Sequence, residues 1–300
     1  MQLDQNRTQD PDNVGQARYP ADFAILWHPG NHAVPALPLG AVVAHPAQNE
    51  NTHQPIQRER RNFRPMAMVS RAWRATQENP TDQVIQSRVR AGVSPNYRGN
   101  HNLVSNLSAA ITEDENCSLW IEGLEANVTV NRLLGAIRDV GRVWQCHIVA
   151  PSGGHSTAAA KLTFFTAESA ITLLGKCLQQ GSSRRLEVDG HLARVIYNRQ
   201  RVAAPRAPED HTRVLVISGP PGIVNTQALT RYFNSLFVFQ TDEIITLVAG
   251  QAINVLEWRF GSYRCQAQSA WEAIRGNPTF RRHGVTVSFD RDPCDPSPWG

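Results

Sequence analysis

One pattern that occurs twice constrains this chain more than its composition does. Leu119-Trp120-Ile121-Glu122-Gly123-Leu124 reads as a short strand that reaches a glycine, and so does Leu215-Val216-Ile217-Ser218-Gly219-Pro220. After the first run come Val130, Leu133, Leu134 and Ile137; after the second come Leu229, Tyr232, Phe233 and Leu236. Both sets fall at i, i+3, i+4, i+7, the period of an amphipathic helix. Two strand-like runs follow in each copy: Arg142 to Ala150 and Ala158 to Phe165, then Glu243 to Ala249 and Ile253 to Phe260. A second helical set comes next, Ala170, Leu173, Leu174 and Cys177 in one copy and Ala267, Ala270, Trp271 and Ile274 in the other. Thr166 and Ser262 stand where these helices need N-caps. Leu192 to Tyr197 and Val285 to Phe289 read as closing strands. Leu119 and Phe164 are 45 residues apart, and so are Leu215 and Phe260. Shared order and shared spacing point to an internal duplication.

Each copy is thus β-α-β-β-α-β. The predicted fold class is α+β, with two ferredoxin-like sandwiches, each a four-stranded antiparallel sheet carrying two helices on one face. The other sheet face has no cover of its own, so it must tolerate water or bind something; the fold by itself does not choose. The pattern assigns residues 116–203 to the first unit and 204–300 to the second. Residues 1–115 are rich in Pro, Gln, Asn and Arg and show no sustained period, so a disordered tail is expected there. Within it, Gln54 to Arg98 is basic. That stretch reads either as solvated chain or as an electrostatic contact to RNA or an import signal. Phe23 to Trp27 is a short apolar cluster suited to docking on a partner.

Charge and special residues exclude several classes. The formal net charge of +4 is mild, so composition alone demands no polyanionic partner. Nearly all the positive charge is arginine, with Lys161 and Lys176 the only lysines. Arginine forks onto phosphates and stacks on bases, although genomic base composition produces the same bias. Cys117, Cys146, Cys177, Cys265 and Cys294 lack metal-type spacing and are odd in number, which suits reduced thiols in an intracellular protein, nuclear or cytoplasmic. Pro35 and Pro38 break the longest apolar run, Ala33 to Ala44, which is too short for a membrane span. Ser218 to Thr226 imitates a phosphate-binding loop, but Val224 and Asn225 stand where that loop needs a glycine and a lysine. No histidine, carboxylate and nucleophile set and no ligand spacing stands out. The chain is therefore expected to be no enzyme, to carry no cofactor and to hold no metal.

At the level of motifs, the first unit resembles an RNA recognition motif. In that family the first and third strands carry outward aromatics that stack on unpaired bases. Leu119 to Leu124 fits the first-strand consensus, with Trp120 at the stacking position. Thr157 to Phe164 fits the third strand in part: Ala159 and Lys161 replace the two outward aromatics. The resemblance implies single-stranded RNA as partner. It implies Trp120 as the stacking platform, Lys161 as a phosphate or base-edge contact, Gln145, His147, Arg194 and Ile196 on the same face, and Arg199 in the tail leaving it. The other reading of Trp120 is an aromatic that shields the sheet. The second unit resembles the family more faintly. Val216, Val255 and Glu257 occupy its three stacking positions, and Trp258 falls inward. It is expected to be a degenerate motif that packs against the first unit, a protein partner or the tail. The alternative function is a protein-interaction scaffold with little RNA binding.

Overall fold

A computed structural model of the chain describes residues 81–93, 101–102, 107–151, 154–179 and 185–296. The Phe23 to Trp27 cluster and most of the basic stretch from Gln54 to Arg98 lie outside the described residues.

Both units have the predicted architecture. The first runs β1 (Ser118–Leu124), α2 (Val130–Gly135), β2 (Val143–Val149), β3 (Ala158–Phe164), α3 (Ala167–Gln179), β4 (Arg185–Val188) and β5 (His191–Tyr197). It follows α1 (Asp82–Arg90). The second runs β6 (Val214–Gly219), α4 (Thr226–Leu236), β7 (Thr241–Ala249), β8 (Asn254–Phe260), α5 (Gln268–Gly276), α6 (Pro278–Arg282) and β9 (Thr286–Asp290). The sheets are ordered β2-β3-β1-β5-β4 and β7-β8-β6-β9, and every pairing is antiparallel. Leaving β4 aside, the two orders are the same.

Side chains alternate across each strand, and this sorts the sheet residues. Leu119, Ile121, Ala160, Leu162, Phe164, Ala193 and Val195 are buried under the first pair of helices with Leu133, Leu134, Ala170 and Leu173. In the second unit Leu215, Ile217, Leu256, Trp258 and Phe260 meet Leu229, Phe233, Ala270 and Ile274. Trp258 is fully buried, stacked on Phe260 at 5.6 Å and edge-on to Phe233 at 5.3 Å. Gly123, with φ of +82°, sits where the β1–β3 register shifts between Glu122 and Leu124. A side chain there would be strained, which is why that strand run needs a glycine.

Beyond the short helix α6, three features were not anticipated. The α1 helix lies inside the stretch expected to lack structure, with Asp82 in its first turn and Arg88 and Arg90 in its last, a favourable arrangement for the helix dipole. Its apolar residues Val84, Ile85 and Val89 are too few to show a period. Ser108, Ala109 and Ile111 also hydrogen-bond Arg201, so ordered chain begins ahead of Asn116. The β4 strand is made by a hairpin at Asp189-Gly190, both with positive φ, 51° and 79°. Asp-Gly between alternating apolar residues is a strong hairpin signal.

The two units are joined by more than a linker. Residues 292–294, grouped with the second unit by sequence, return to the first. Cys294 is buried in the first core, and its carbonyl accepts from Val140 N at 2.8 Å and Gly141 N at 2.7 Å. Asp292 Oδ2 accepts from Val143 N at 2.8 Å. Asn131 on α2 donates to Asp242 Oδ1 on β7 at 3.0 Å. Tyr263 packs on Trp144 and Phe165 with ring centroids 5.0 and 5.4 Å apart. Of the three packing partners expected for the second unit, the first unit is the one seen among the described residues.

Ser262 departs from its expected role. Thr166 does cap its helix, its Oγ1 accepting from Ser169 N at 3.3 Å. Ser262 makes no such bond, and Arg264 and Cys265 after it leave helical geometry. Its Oγ instead accepts from Cys146 N at 3.0 Å and donates to Cys146 O at 3.1 Å, closing part of the β2 edge. An unpaired strand edge is a strong site for such bonds, and here it outcompetes the cap.

Candidate nucleic-acid interface

The outward face of the first sheet is built by register. Trp120 on β1 lies between Lys161 on β3 and Ile196 on β5; Glu122 lies between Ala159 and Arg194; Gln145 and His147 on β2 lie opposite Thr163 and Lys161. Six of the seven expected contact residues therefore share one face, and Arg199 follows on the exposed chain beyond β5.

Sharing a face does not make them equally open. Trp120 and Ile196 are half-buried, and Arg194 and Arg199 are exposed. Arg194 Nη1 reaches Glu122 Oε1 at 3.0 Å, a surface pair that adds little stability. Gln145, His147 and Lys161 are buried, at 6, 7 and 6 % exposure.

Lys161 is the clearest correction. Its sequence position suggested a solvent-accessible charge for phosphate. In the fold its Nζ donates to Gln200 Oε1 at 3.0 Å. Burial, with the charge of Arg264 adding to it, pulls its pKa down to about 7. Two features invisible to strand patterning cause this: the linker turns back over the sheet, and a loop of the second unit brings Arg264 alongside.

The sign of the resulting pH dependence can be worked out. Between about pH 7 and the ordinary lysine range, the unfolded chain holds this proton and the folded chain does not, so stability rises with pH there. The penalty is greatest below pH 7. Lys161→Met should therefore stabilise the protein most at about pH 6 and less at about pH 9. Urea midpoints at the two pH values check this, and RNA affinity should change little.

The second sheet carries no outward ring at the three positions. Val216, Val255 and Glu257 are half-buried there, and Glu257 is held by Arg259, whose Nε reaches it at 2.5 Å. Arg259 Nη1 also reaches Glu243 at 2.5 Å. The loop resembling a phosphate cradle is used internally. Val224 is fully buried in the second core, and Asn225 caps α4 by accepting from Ala228 N at 2.8 Å. Among the described residues no group of His, Cys, Asp and Glu is arranged to hold a metal ion. No described helix is long and apolar enough to cross a membrane. All five cysteines are free thiols, four of them buried.

No family model and no curated protein matches the chain. Among solved structures it is similar to RNA recognition domains 1 and 2 of Sex-lethal from Drosophila melanogaster, with 18% identity and a TM-score of 0.23 over 58% of this chain and 100% of that one. It is similar to the first two RRM domains of the yeast poly(U) binding protein Pub1, with 13% identity and a TM-score of 0.23 over 58% and 99%. It is also similar to the N-terminal three RNA binding domains of the yeast splicing factor Prp24, with 10% identity and a TM-score of 0.27 over 58% and 64%. By its own strand order and connections, each of the two units has the ferredoxin-like β-α-β-β-α-β fold.

Proposed function

We propose that this chain binds single-stranded RNA through the sheet face of its first unit, and that the second unit serves mainly to brace the first. The observation that carries this reading is Trp120, a half-buried ring on the central strand β1, on the sheet face opposite the core packed under α2 and α3. Stacking on such a ring is tolerant of sequence, because every base has a π-face. Charge favours the same unit: residues 116–203 hold ten basic and six acidic side chains, and residues 204–300 hold nine of each. The reading needs neither catalysis nor a cofactor, and the free cysteines suit an intracellular setting.

One observation favours a second reading. Leu247, Val248 and Ile253, at the far end of the β7–β8 hairpin, are 49, 46 and 50 % exposed. Such a cluster suits a protein partner on the second unit, and a scaffold of that kind would need no RNA.

Titration of a labelled, unstructured RNA pool with three proteins separates the two. These are the parent chain, Trp120→Ala, and a chain lacking residues 1–80. The proposal requires Trp120→Ala to lose affinity and the shortened chain to keep most of it. Full affinity in Trp120→Ala, with loss in the shortened chain, would make the N-terminal arginines the contact and sink the proposal.

A further inference from the structure

The outward face of the first sheet is divided into a closed half and an open half. On β2 and β3, Thr163 is fully buried, and Gln145, Lys161 and His147 are nearly so. The cover comes from outside the sheet. Gln200 of the linker takes the Lys161 amine, Ser262 holds both backbone groups of Cys146 at the β2 edge, and the charge of Arg264, two residues on from Ser262, acts on Lys161. The packing that brings Ser262 and Arg264 there is anchored by buried ion pairs, so the cover is part of the folded tandem.

The open half is on β1, β5 and β4. Pairing puts Arg185 opposite Arg194 and Glu187 opposite Leu192, so all four share the face of Trp120 and Ile196. Arg185 and Glu187 are exposed, and Leu192 is 55 % exposed. Two arginines directly across a strand pair repel each other. Glu122 takes the Arg194 guanidinium, while among the described residues Arg185 reaches the Leu192 carbonyl, at 3.3 Å. The face thus holds two arginines and two carboxylates, Glu122 and Glu187; Glu122 pairs with Arg194, and among the described residues no carboxylate pairs with Arg185, whose guanidinium can meet a phosphate.

We propose that RNA runs along this β1–β5–β4 half: one base on Trp120, and the adjoining phosphates on Arg194 and Arg185. Both of those arginines lie beyond the β1–β3 pair that the family resemblance singled out. The β4–β5 hairpin thus widens the sheet on the side opposite the covered edge. This inference rests on the RNA reading of the first unit and moves its contacts away from His147 and Lys161.

The test uses the full chain and a fluorescein-labelled oligouridylate, titrated by anisotropy across a range of salt. Each phosphate contact on a single strand adds about 0.7 to the log–log salt slope. Arg185→Ala and Arg194→Ala should each flatten the slope by about 0.7, and the double variant by about 1.4. Glu122→Gln, which releases Arg194, should tighten binding at low salt. Arg281→Ala and Arg282→Ala, on exposed residues of the second unit, should leave the slope as it is. Slopes unchanged in both Arg185→Ala and Arg194→Ala, with Trp120→Ala still weak, would overturn the displaced track and leave the RNA reading standing. So would photocrosslinks on His147 or Lys161. A parent chain that does not bind the oligouridylate would defeat both.

Discussion

Replacing Arg213 by alanine should destabilise the protein by about 3–5 kcal/mol, because it strands two buried carboxylates. Arg213 is fully buried. Its Nη1 meets Asp242 Oδ2 at 2.7 Å and its Nε meets Asp292 Oδ1 at 2.9 Å, with both carboxylates fully buried too. Nη1 also donates to the Phe260 carbonyl at 2.9 Å. Burial opposes the charge on this guanidinium, but Asp292 and Asp242 more than offset it, and its pKa lies above the ordinary arginine value. The same carboxylates accept from Asn131 and Val143 of the first unit. One cation therefore holds both carboxylates that reach the first unit. A loss of this size should lower the thermal midpoint by on the order of 10 °C and open the linker around residues 203–211 to protease. Arg213→Lys should rescue little, since an ammonium cannot fork to two carboxylates in this geometry. The triple variant Arg213→Met, Asp242→Asn, Asp292→Asn should recover part of the loss, because no charge is then left unpaired. A urea midpoint for Arg213→Ala equal to the parent's would show that the network contributes nothing.

Trp120→Ala should be the most damaging single change for RNA binding. A base stacked on an aromatic contributes on the order of 1–3 kcal/mol by alanine substitution. At about 1.4 kcal/mol per decade this is a loss of roughly 5- to 150-fold. The loss should persist at high salt, since stacking releases no counterions, whereas the arginine effects fade as salt rises. Trp120 stands on the outward side and is absent from both cores, so the variant should fold with a near-parental urea midpoint. Val216→Ala and Val255→Ala, at the matching positions of the second unit, should change affinity little, as neither offers a ring. Equal sensitivity of all three positions would mean that the two sheets bind alike, contrary to the proposed asymmetry.

The architecture was legible because it is local. Period-2 runs separated by period-3.6 runs, repeated at the same spacing, named eight strands and four helices. Alternation tells Leu119 and Ile121 from Trp120 and Glu122, and it puts Trp258 in the core for the same reason. The β4 strand has a turn signal at Asp189-Gly190, but the four residues Arg-Leu-Glu-Val before it make too short a run to stand out as a strand. The α1 helix left little trace, since its apolar positions form no stripe.

What the sequence determined by itself was which side chains share a face, because that follows from strand parity and needs no knowledge of neighbours. Tertiary structure alone decided which of those side chains meet solvent. Lys161 and Trp120 are paired across adjacent strands, yet one is buried and the other half-open. The difference comes from Gln200, 39 positions along the chain from Lys161, and from Arg264 in the other unit. The same holds for Ser262, whose residue type and position fit a cap until the β2 edge arrives to compete for its hydroxyl. It holds for Cys294, which sits 160 positions from the Leu134 carbonyl that its thiol meets. Such contacts depend on the path of the chain between distant segments, and no periodicity encodes that path.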